Sequence, residues 1–423
     1  MAAALCVCLG TAAAEAQAVY GPAVPVDLQP RSAETPPGIP EHLEIAAERA
    51  LGTFPALSAA RSQIRASESD IEAAKWLRFP SASVDLVTRQ DNLTPELEVL
   101  QPLWTGGRIT AGIDRANALR NVANATLSET ALEVLLRVSS AYFEIARTAE
   151  LQSIYEDSLT EHRRLVESME RRVAQEVSPR TDLELAKARA AQVEQQLGLI
   201  AAQHDAAVER MNQLVGDPAF DPGPPPEYSA NEHHPDFGDA VARALSCDPT
   251  ITRLQAEVAV AHADERLSEA AIFPQLGVRF SYDRFAGSGL GLSLRAQTNG
   301  GLSPLALADA ASARAESAEF QVNVAQREIS ERVNLDLVEN RSALARMEST
   351  AAAARSTLNV TDSFLRQFVA GRRTWLDLMN AVREAVEARA ALVEVQNSAM
   401  ASAARLRLRT CDWSPIGNTQ STP

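Results

Sequence analysis

The feature that most restricts this chain is that it repeats itself. Pro55 recurs as Pro249 and Pro80 as Pro274, each 194 residues later. The same offset pairs Ala46 with Ala240, Arg49 with Arg243, Ala50 with Ala244 and Leu51 with Leu245. It also pairs Phe79 with Phe273, Val84 with Val278, and Gly106-Gly107 with Gly300-Gly301. Two prolines, a Phe-Pro pair and a Gly-Gly pair do not align at one offset by chance, so the sequence reads as two copies of one supersecondary unit. The first copy occupies 42–216 and the second 237–413, with the Pro-rich segment 217–236 between them and a polar tail over 414–423.

Each copy reads alike. A first helix is expected over Ile45–Leu77, or Gly238–Ile272, and Phe-Pro ends it because the residue before proline is pushed out of the helical region. A β-hairpin follows. In the second copy Leu276, Val278, Phe280 and Tyr282 alternate with polar or small neighbours, Phe285–Gly289 turns, and Leu290, Leu292, Leu294 and Ala296 return. In the first copy Val84 and Leu86 alternate with Ser83 and Asp85. Asp91-Asn92 and Pro95 mark its turn, and the faces of the return over Glu96–Trp104 stay unassigned. After Gly-Gly comes a long helix. The run Arg108–Gln175 has no proline, spans roughly 100 Å if helical, and carries apolar residues in steps of seven. These run Val134, Ala141, Thr148, Tyr155, His162, Met169, beside Val138, Ile145, Gln152, Leu159, Val166, Val173. His162 here is a seam residue rather than a ligand. Val177-Ser178-Pro179 then supplies a cap serine and a first-turn proline for a helix over Arg180–Val215. In the second copy Gly371 fits a helix C-terminus, and Thr374 with Asp377 fits a capping box.

Composition removes several function classes. The chain has 423 residues, a net charge of −15, and only Lys75 and Lys187 as lysines, with charges of both signs interspersed. An electrostatic grip on nucleic acid is therefore not expected. No phosphate loop, nucleophile elbow or Cys/His cluster is present. Gly287–Gly291 lies in an expected hairpin turn, and His233-His234 lies in the linker. No cofactor, metal or catalysis is expected. Residues 1–18, MAAALCVCLGTAAAEAQA, read as a secretory signal without a basic n-region, followed by an extended segment over 19–41. Cys6 and Cys8 fall in the signal. Cys247 and Cys411 remain, either paired in an oxidising compartment or two separate buried thiols. No run of 18 apolar residues follows the signal, so contact with a membrane requires a closed barrel. Four strands per chain are too few to close one.

Gln101-Pro-Leu-Trp-Thr-Gly-Gly107, Thr181-Asp182-Leu183 through Ala188-Arg189, and Gly371-Arg-Arg-Thr-Trp-Leu-Asp-Leu-Met-Asn-Ala381 carry a resemblance. With the duplication, over about residues 42–410, the chain resembles the TolC-type outer-membrane channel family. The resemblance implies a mostly α fold with a small β part. Three chains would form a 12-stranded β-barrel in the outer membrane of a Gram-negative bacterium, joined to a long α-helical barrel in the periplasm. It implies a passive conduit opened by a periplasmic adaptor coupled to an inner-membrane ABC transporter or proton-driven pump. The second turn looks closest to the branch serving type I secretion of proteins. Multidrug or metal efflux is the alternative within the class, and a secreted coiled-coil scaffold or adhesion protein the alternative outside it.

The resemblance further implies a periplasmic gate at Asp182, Arg373, Asp377 and Asn380. Asn380 stands where the family often has a second acid, and Glu176 where it often has glycine. Adaptor-contacting tips would be Val177, Ser178, Pro179, Gly371, Arg372, Thr374 and Trp375. Each has a plainer reading: Asp377 as a helix cap, Arg373 as a solvated tip residue, Trp375 as a packing anchor. Gly106, Gly107, Gly300 and Gly301 would be joints between strand and helix, where glycine removes the Cβ penalty.

Overall fold

A computed structural model describes residues 36–89, 92–230, 238–283, 287–296 and 301–414. The signal segment, most of 19–41, His233-His234, Gly300, and the tail beyond Ser414 lie outside the described residues. The elements, in chain order, are α1 (Glu41–Thr53), α2 (Pro55–Trp76), β1 (Ser81–Arg89), β2 (Asn92–Trp104), α3 (Arg108–Ala174) and α4 (Arg180–Val215). They continue with α5 (Ala240–Cys247), α6 (Pro249–Ala270), β3 (Gln275–Asp283), β4 (Gly287–Arg295), α7 (Ser303–Val369) and α8 (Trp375–Arg409). The chain is mostly helical with one small sheet. No described helix is long and apolar enough to cross a membrane.

The two halves match element by element. α2 and α6 each have 22 residues, β1 and β3 each have 9, and α3 and α7 each have 67. The expected single first helix is corrected in both halves. It breaks at Phe54 and at Asp248, because Pro55 and Pro249 cannot continue a helix through their missing N–H and instead open the next one at its first position. Asp248 caps that start by accepting the Thr250 N–H at 2.8 Å. The hairpin turn of the second half is also tighter than expected: Gly287, Ser288 and Gly289 already pair with Asp283, Tyr282 and Ser281 inside β4. Pro95 is not a turn residue either. It lies inside β2, opposite Leu86 of β1.

The chain builds a wall four elements wide. At the sheet end the order is β1-β2-β3-β4, all antiparallel. Below it the helices run α2–α3–α6–α7, and toward the turns α4–α3–α8–α7. One edge is thus formed throughout by β1, α2 and α4, the other by β4 and α7. Across β2 and β3, residues that face one another share a side. One side carries Val84, Leu97, Val99, Phe280, Leu290, Leu292 and Leu294, and the other Asp85, Glu98, Arg279 and Arg295. The apolar side is bare: Val84, Leu86, Leu290, Leu292 and Leu294 are 67–77% exposed. On the polar side Arg279 pairs with Glu98 at 3.2 Å.

Small residues let the helices approach closely. The expected heptad seam of α3 is the buried one, with Val134, Val138, Ala141, Ile145, Thr148, His162 and Met169 all inside. His162 Nδ1 meets the Ser158 carbonyl at 2.8 Å, and burial holds its pKa below the ordinary value. Where α7 meets α8, Asp336 accepts from Arg405 and Arg409 at 2.9 and 2.8 Å, and Asn340 donates to the Ala399 carbonyl and to Ser402. The described part of the linker also packs: Phe220 is buried beneath Arg49, which pairs with Asp217.

Cys247, ending α5, is bonded to Cys411, just past α8. Arg243 and Asp412 pair beside it at 2.9 Å. A cross-link over 164 residues removes much loop entropy from the unfolded chain, so Cys247→Ser is expected to lower stability by about 2–4 kcal/mol. Urea melts of wild type and variant, with and without reductant, check this. The variant should melt early under both conditions, and wild type only when reduced.

Candidate functional site

Two places in the wall carry residues that the sequence marked: the helical turns at one end and the strand-to-helix joint at the other. Both turns share one backbone device. After α7, Gly371 has φ 72°, its N–H bonds the Phe368 carbonyl, and the Arg372 N–H bonds that of Gln367. After α3, Glu176 takes the same place at φ 61°, with Glu176 and Val177 bonding the carbonyls of Val173 and Arg172. Both are Schellman endings. The first is made with a side chain in the left-handed region that glycine normally occupies. Ser178 is not the cap of α4. Pro179 holds that position in extended backbone and accepts from the Asp182 N–H, while Ser178 Oγ accepts from Arg172.

The second turn closes α8 with a full capping box between Thr374 and Asp377. The Thr374 hydroxyl donates to Asp377 at 2.8 Å and holds that carboxyl below the usual carboxylate range, with Arg373 adding to the effect. Arg373 stands over the Phe364 ring at 4.3 Å, donates to Gln367 at 3.3 Å, and lies 3.8 Å from Asp377. Of the four expected gate residues, the structure therefore brings Arg373 and Asp377 together. Asn380 is half-buried one turn on. Asp182 lies on the other hairpin, and among the described residues no ion pair reaches it.

Trp375 requires a correction. It is 6% exposed and packs with Met169, Phe368, Leu378 and Met379, so it anchors the two hairpins together and is not open to a partner. The exposed apolar residues of the turns are Val177, Val369 and Leu376 instead. Sequence reading also missed Arg172, whose guanidinium stacks on Phe368 at 4.8 Å and ties α3 to the second turn. The available signal was Phe364 and Phe368, two aromatics one helical turn apart in an aromatic-poor chain.

At the joint, Gly106 and Gly107 have φ of 63° and 91°. A Cβ on Gly106 would sit 2.7 Å from the Phe273 Cβ and 3.2 Å from the Ala270 carbonyl oxygen. This glycine serves both the turn and the close approach of β2 to the end of α6. Gly107 opens α3 and faces open space, as does Gly301 at φ 69°.

An open sheet with one bare apolar side, running straight into a helical wall of the same width, defines a channel-type outer-membrane fold. The model of the outer membrane efflux protein family matches residues 46–217. Among solved structures, the outer-membrane channel OprN superposes with a TM-score of 0.76 at 18% identity, over 91% of this chain and 95% of that one. The outer membrane protein VceC of Vibrio cholerae gives 0.74 at 20%, over 87% and 95%. The CmeC outer membrane channel of Campylobacter jejuni gives 0.75 at 11%, over 90% and 87%. No curated protein matches the chain in sequence. The chain therefore has the TolC-type outer-membrane channel fold, and its first half carries the outer membrane efflux protein sequence pattern.

Proposed function

We propose that the chain is a passive outer-membrane conduit of a tripartite export system, a homotrimer built from an internally duplicated protomer. The observation that carries this reading is that the wall has two unlike edges. α7 bears Phe320, Val324, Leu335 and Val338, 55–64% exposed. At about 100° per residue they fall within about 60° of one another, opposite the buried Ile329, Val333 and Asn340. The other edge is smaller: Ala59, Ala66 and Ala73 of α2 are exposed beside Gln63 and Asp70, opposite the buried Leu57, Ile64 and Ile71. Bulky residues on one edge and small ones on the other suit head-to-tail joining of copies, which also pairs β4 with the next β1. Two copies would give eight strands, a barrel whose interior side chains fill. Three give twelve, with room for a lumen. The apolar side of the sheet then meets lipid, and Trp104 lies at the membrane boundary.

The helical end lies in the periplasm in this reading, and its turns are the gate and adaptor site. Arg373, Asp377, Asn380 and Asp182 form the gate, while Val177, Ser178, Pro179, Gly371, Arg372 and Thr374 meet a periplasmic adaptor. The adaptor couples the conduit to an inner-membrane ABC transporter or proton-driven pump. The name of the matched family speaks for efflux, the multidrug or metal alternative. The second-turn motif from Arg373 to Asn380 favours type I secretion of proteins. Co-purification with the adaptor and identification of the attached pump distinguish the two.

The gate has its own test. Arg373→Ala removes the stacking on Phe364 and the bond to Gln367, and Asp377→Ala removes a capping box worth about 1 kcal/mol. Both variants should raise the conductance of trimers in planar bilayers several-fold. Wild-type conductance in both would discard the gate assignment.

A further inference from the structure

Directly below the sheet, α3, α6 and α7 enclose a groove of 840 Å³. Its floor and walls include Val260 and Leu267 of α6, Leu119 and Val122 of α3, and Leu307 of α7, with Phe273 at its upper end. Three arginines, Arg108, Arg295 and Arg314, stand around it together with two acids, Glu257 and Asp264. The charges do not cancel within the groove. Glu257 is held by Arg253 at 2.6 Å, and Asp264 by Arg115 at 2.6 Å. Arg108 reaches, among the described residues, only the neutral amide of Gln275, at 3.4 Å. Among the described residues, neither Arg295 nor Arg314 has a carboxylate at ion-pair distance. Arg253 is shared between Glu257 and Glu129, so its one charge serves two carboxylates. Counting these partners, five arginines (Arg108, Arg115, Arg253, Arg295 and Arg314) face three carboxylates, and the groove keeps a net positive charge beside apolar walls.

Its orientation follows from the sheet register. Arg295 and Gln275 face each other on the polar side, opposite Leu294 and Leu276. On the channel reading the apolar side meets lipid, so the groove opens into the lumen, at the throat between barrel and tunnel. Arg314 and Leu307 lie toward the α6-facing side of α7, away from the Phe320 stripe, so a neighbouring copy leaves the groove open.

We propose that this groove is a cargo-binding site for anionic amphiphiles, molecules with a single sulfonate or carboxylate head and an apolar, ring-sized body. The volume is that of a small-molecule site, and arginine forks suit a planar or tetrahedral oxyanion with several acceptor oxygens. This deepens the channel reading and rests on it. The site would slow such solutes in the throat and let cations pass unheld.

The probe is naphthalene-2-sulfonate, titrated by calorimetry into the full-length trimer in lipid nanodiscs, with naphthyl-trimethylammonium and inorganic sulfate as comparison probes. The sulfonate should bind and the cation and sulfate should not. Arg295→Gln with Arg314→Gln should weaken sulfonate binding at least about tenfold, two charge-assisted contacts being lost. Arg341→Gln, an exposed α7 change far from the groove, should leave it unchanged. In planar bilayers the sulfonate should interrupt wild-type current and spare the double variant. Equal binding of sulfonate and cation, or an unchanged double variant, would overturn the site. Absence of any conductance without probe would instead sink the channel reading, while calorimetry still reports on the groove.

Discussion

Replacing Phe320 and Val338 with glutamate should leave the chain folded and monomeric. Both side chains are exposed, at 61% and 64%, so the helical content of a single chain should not change. Seated against the edge of a neighbour, each contributes about 1.5–3 kcal/mol of apolar burial per seam. A glutamate there must be buried without a partner, which costs more still. The loss recurs at every seam of a ring, beside the pairing of β4 with the next β1. Native mass spectrometry and light scattering in detergent read the outcome directly. A double variant that remains trimeric with wild-type thermal stability would show that α7 is not an assembly edge.

The second large effect is expected at the joint. Gly106→Val places a β-branched residue at φ 63° and puts its Cβ into the space of Phe273 and the Ala270 carbonyl. The left-handed conformation costs about 1–2 kcal/mol, and forced repacking about 1–3 kcal/mol more. The clash is with the Phe273 Cβ, which is fixed to the backbone, so turning the ring cannot relieve it. Gly107→Ala provides the contrast. Its φ of 91° carries the conformational cost, but a Cβ there meets nothing within 4 Å. Urea midpoints should fall far more for Gly106→Val than for Gly107→Ala, with barrel insertion following the same order. Equal losses would mean that backbone conformation alone sets the joint, and that the packing against α6 is incidental.

Much of this architecture was legible in the residues because it depends on local patterns that recur. The helix read as Arg108–Gln175 ends at Ala174, and the one read as Arg180–Val215 has those limits, since proline and capping signals punctuate both. Pro55 and Pro249 misled because their periodic surroundings look helical on both sides, and only the backbone shows the break. Pro95 misled for the opposite reason: proline marks turns far more often than strands, and whether a strand position needs its N–H is a property of the fold. The burial of Trp375 was not readable from either hairpin by itself, because Met169 and Met379 reach it from different halves of the chain. The arginine groove was equally hidden. Arg108 is far in sequence from Arg295 and Arg314, and the net charge of the groove depends on how Arg115 and Arg253 are shared among Asp264, Glu257 and Glu129.

The unlike edges of the wall have a further consequence. Surfaces that join head to tail have no built-in stopping point: they make a ring if the rotation per copy closes and a filament if it does not. The curvature of one protomer therefore sets the number of copies, and stoichiometry is encoded in shape rather than in any single contact. A copy with a damaged α7 edge still presents an intact α2 edge. Mixed with normal protomers, it would act as a chain terminator, docking once and preventing closure. Defects on that helix should therefore behave as dominant ones, poisoning assemblies in which two of every three members are sound.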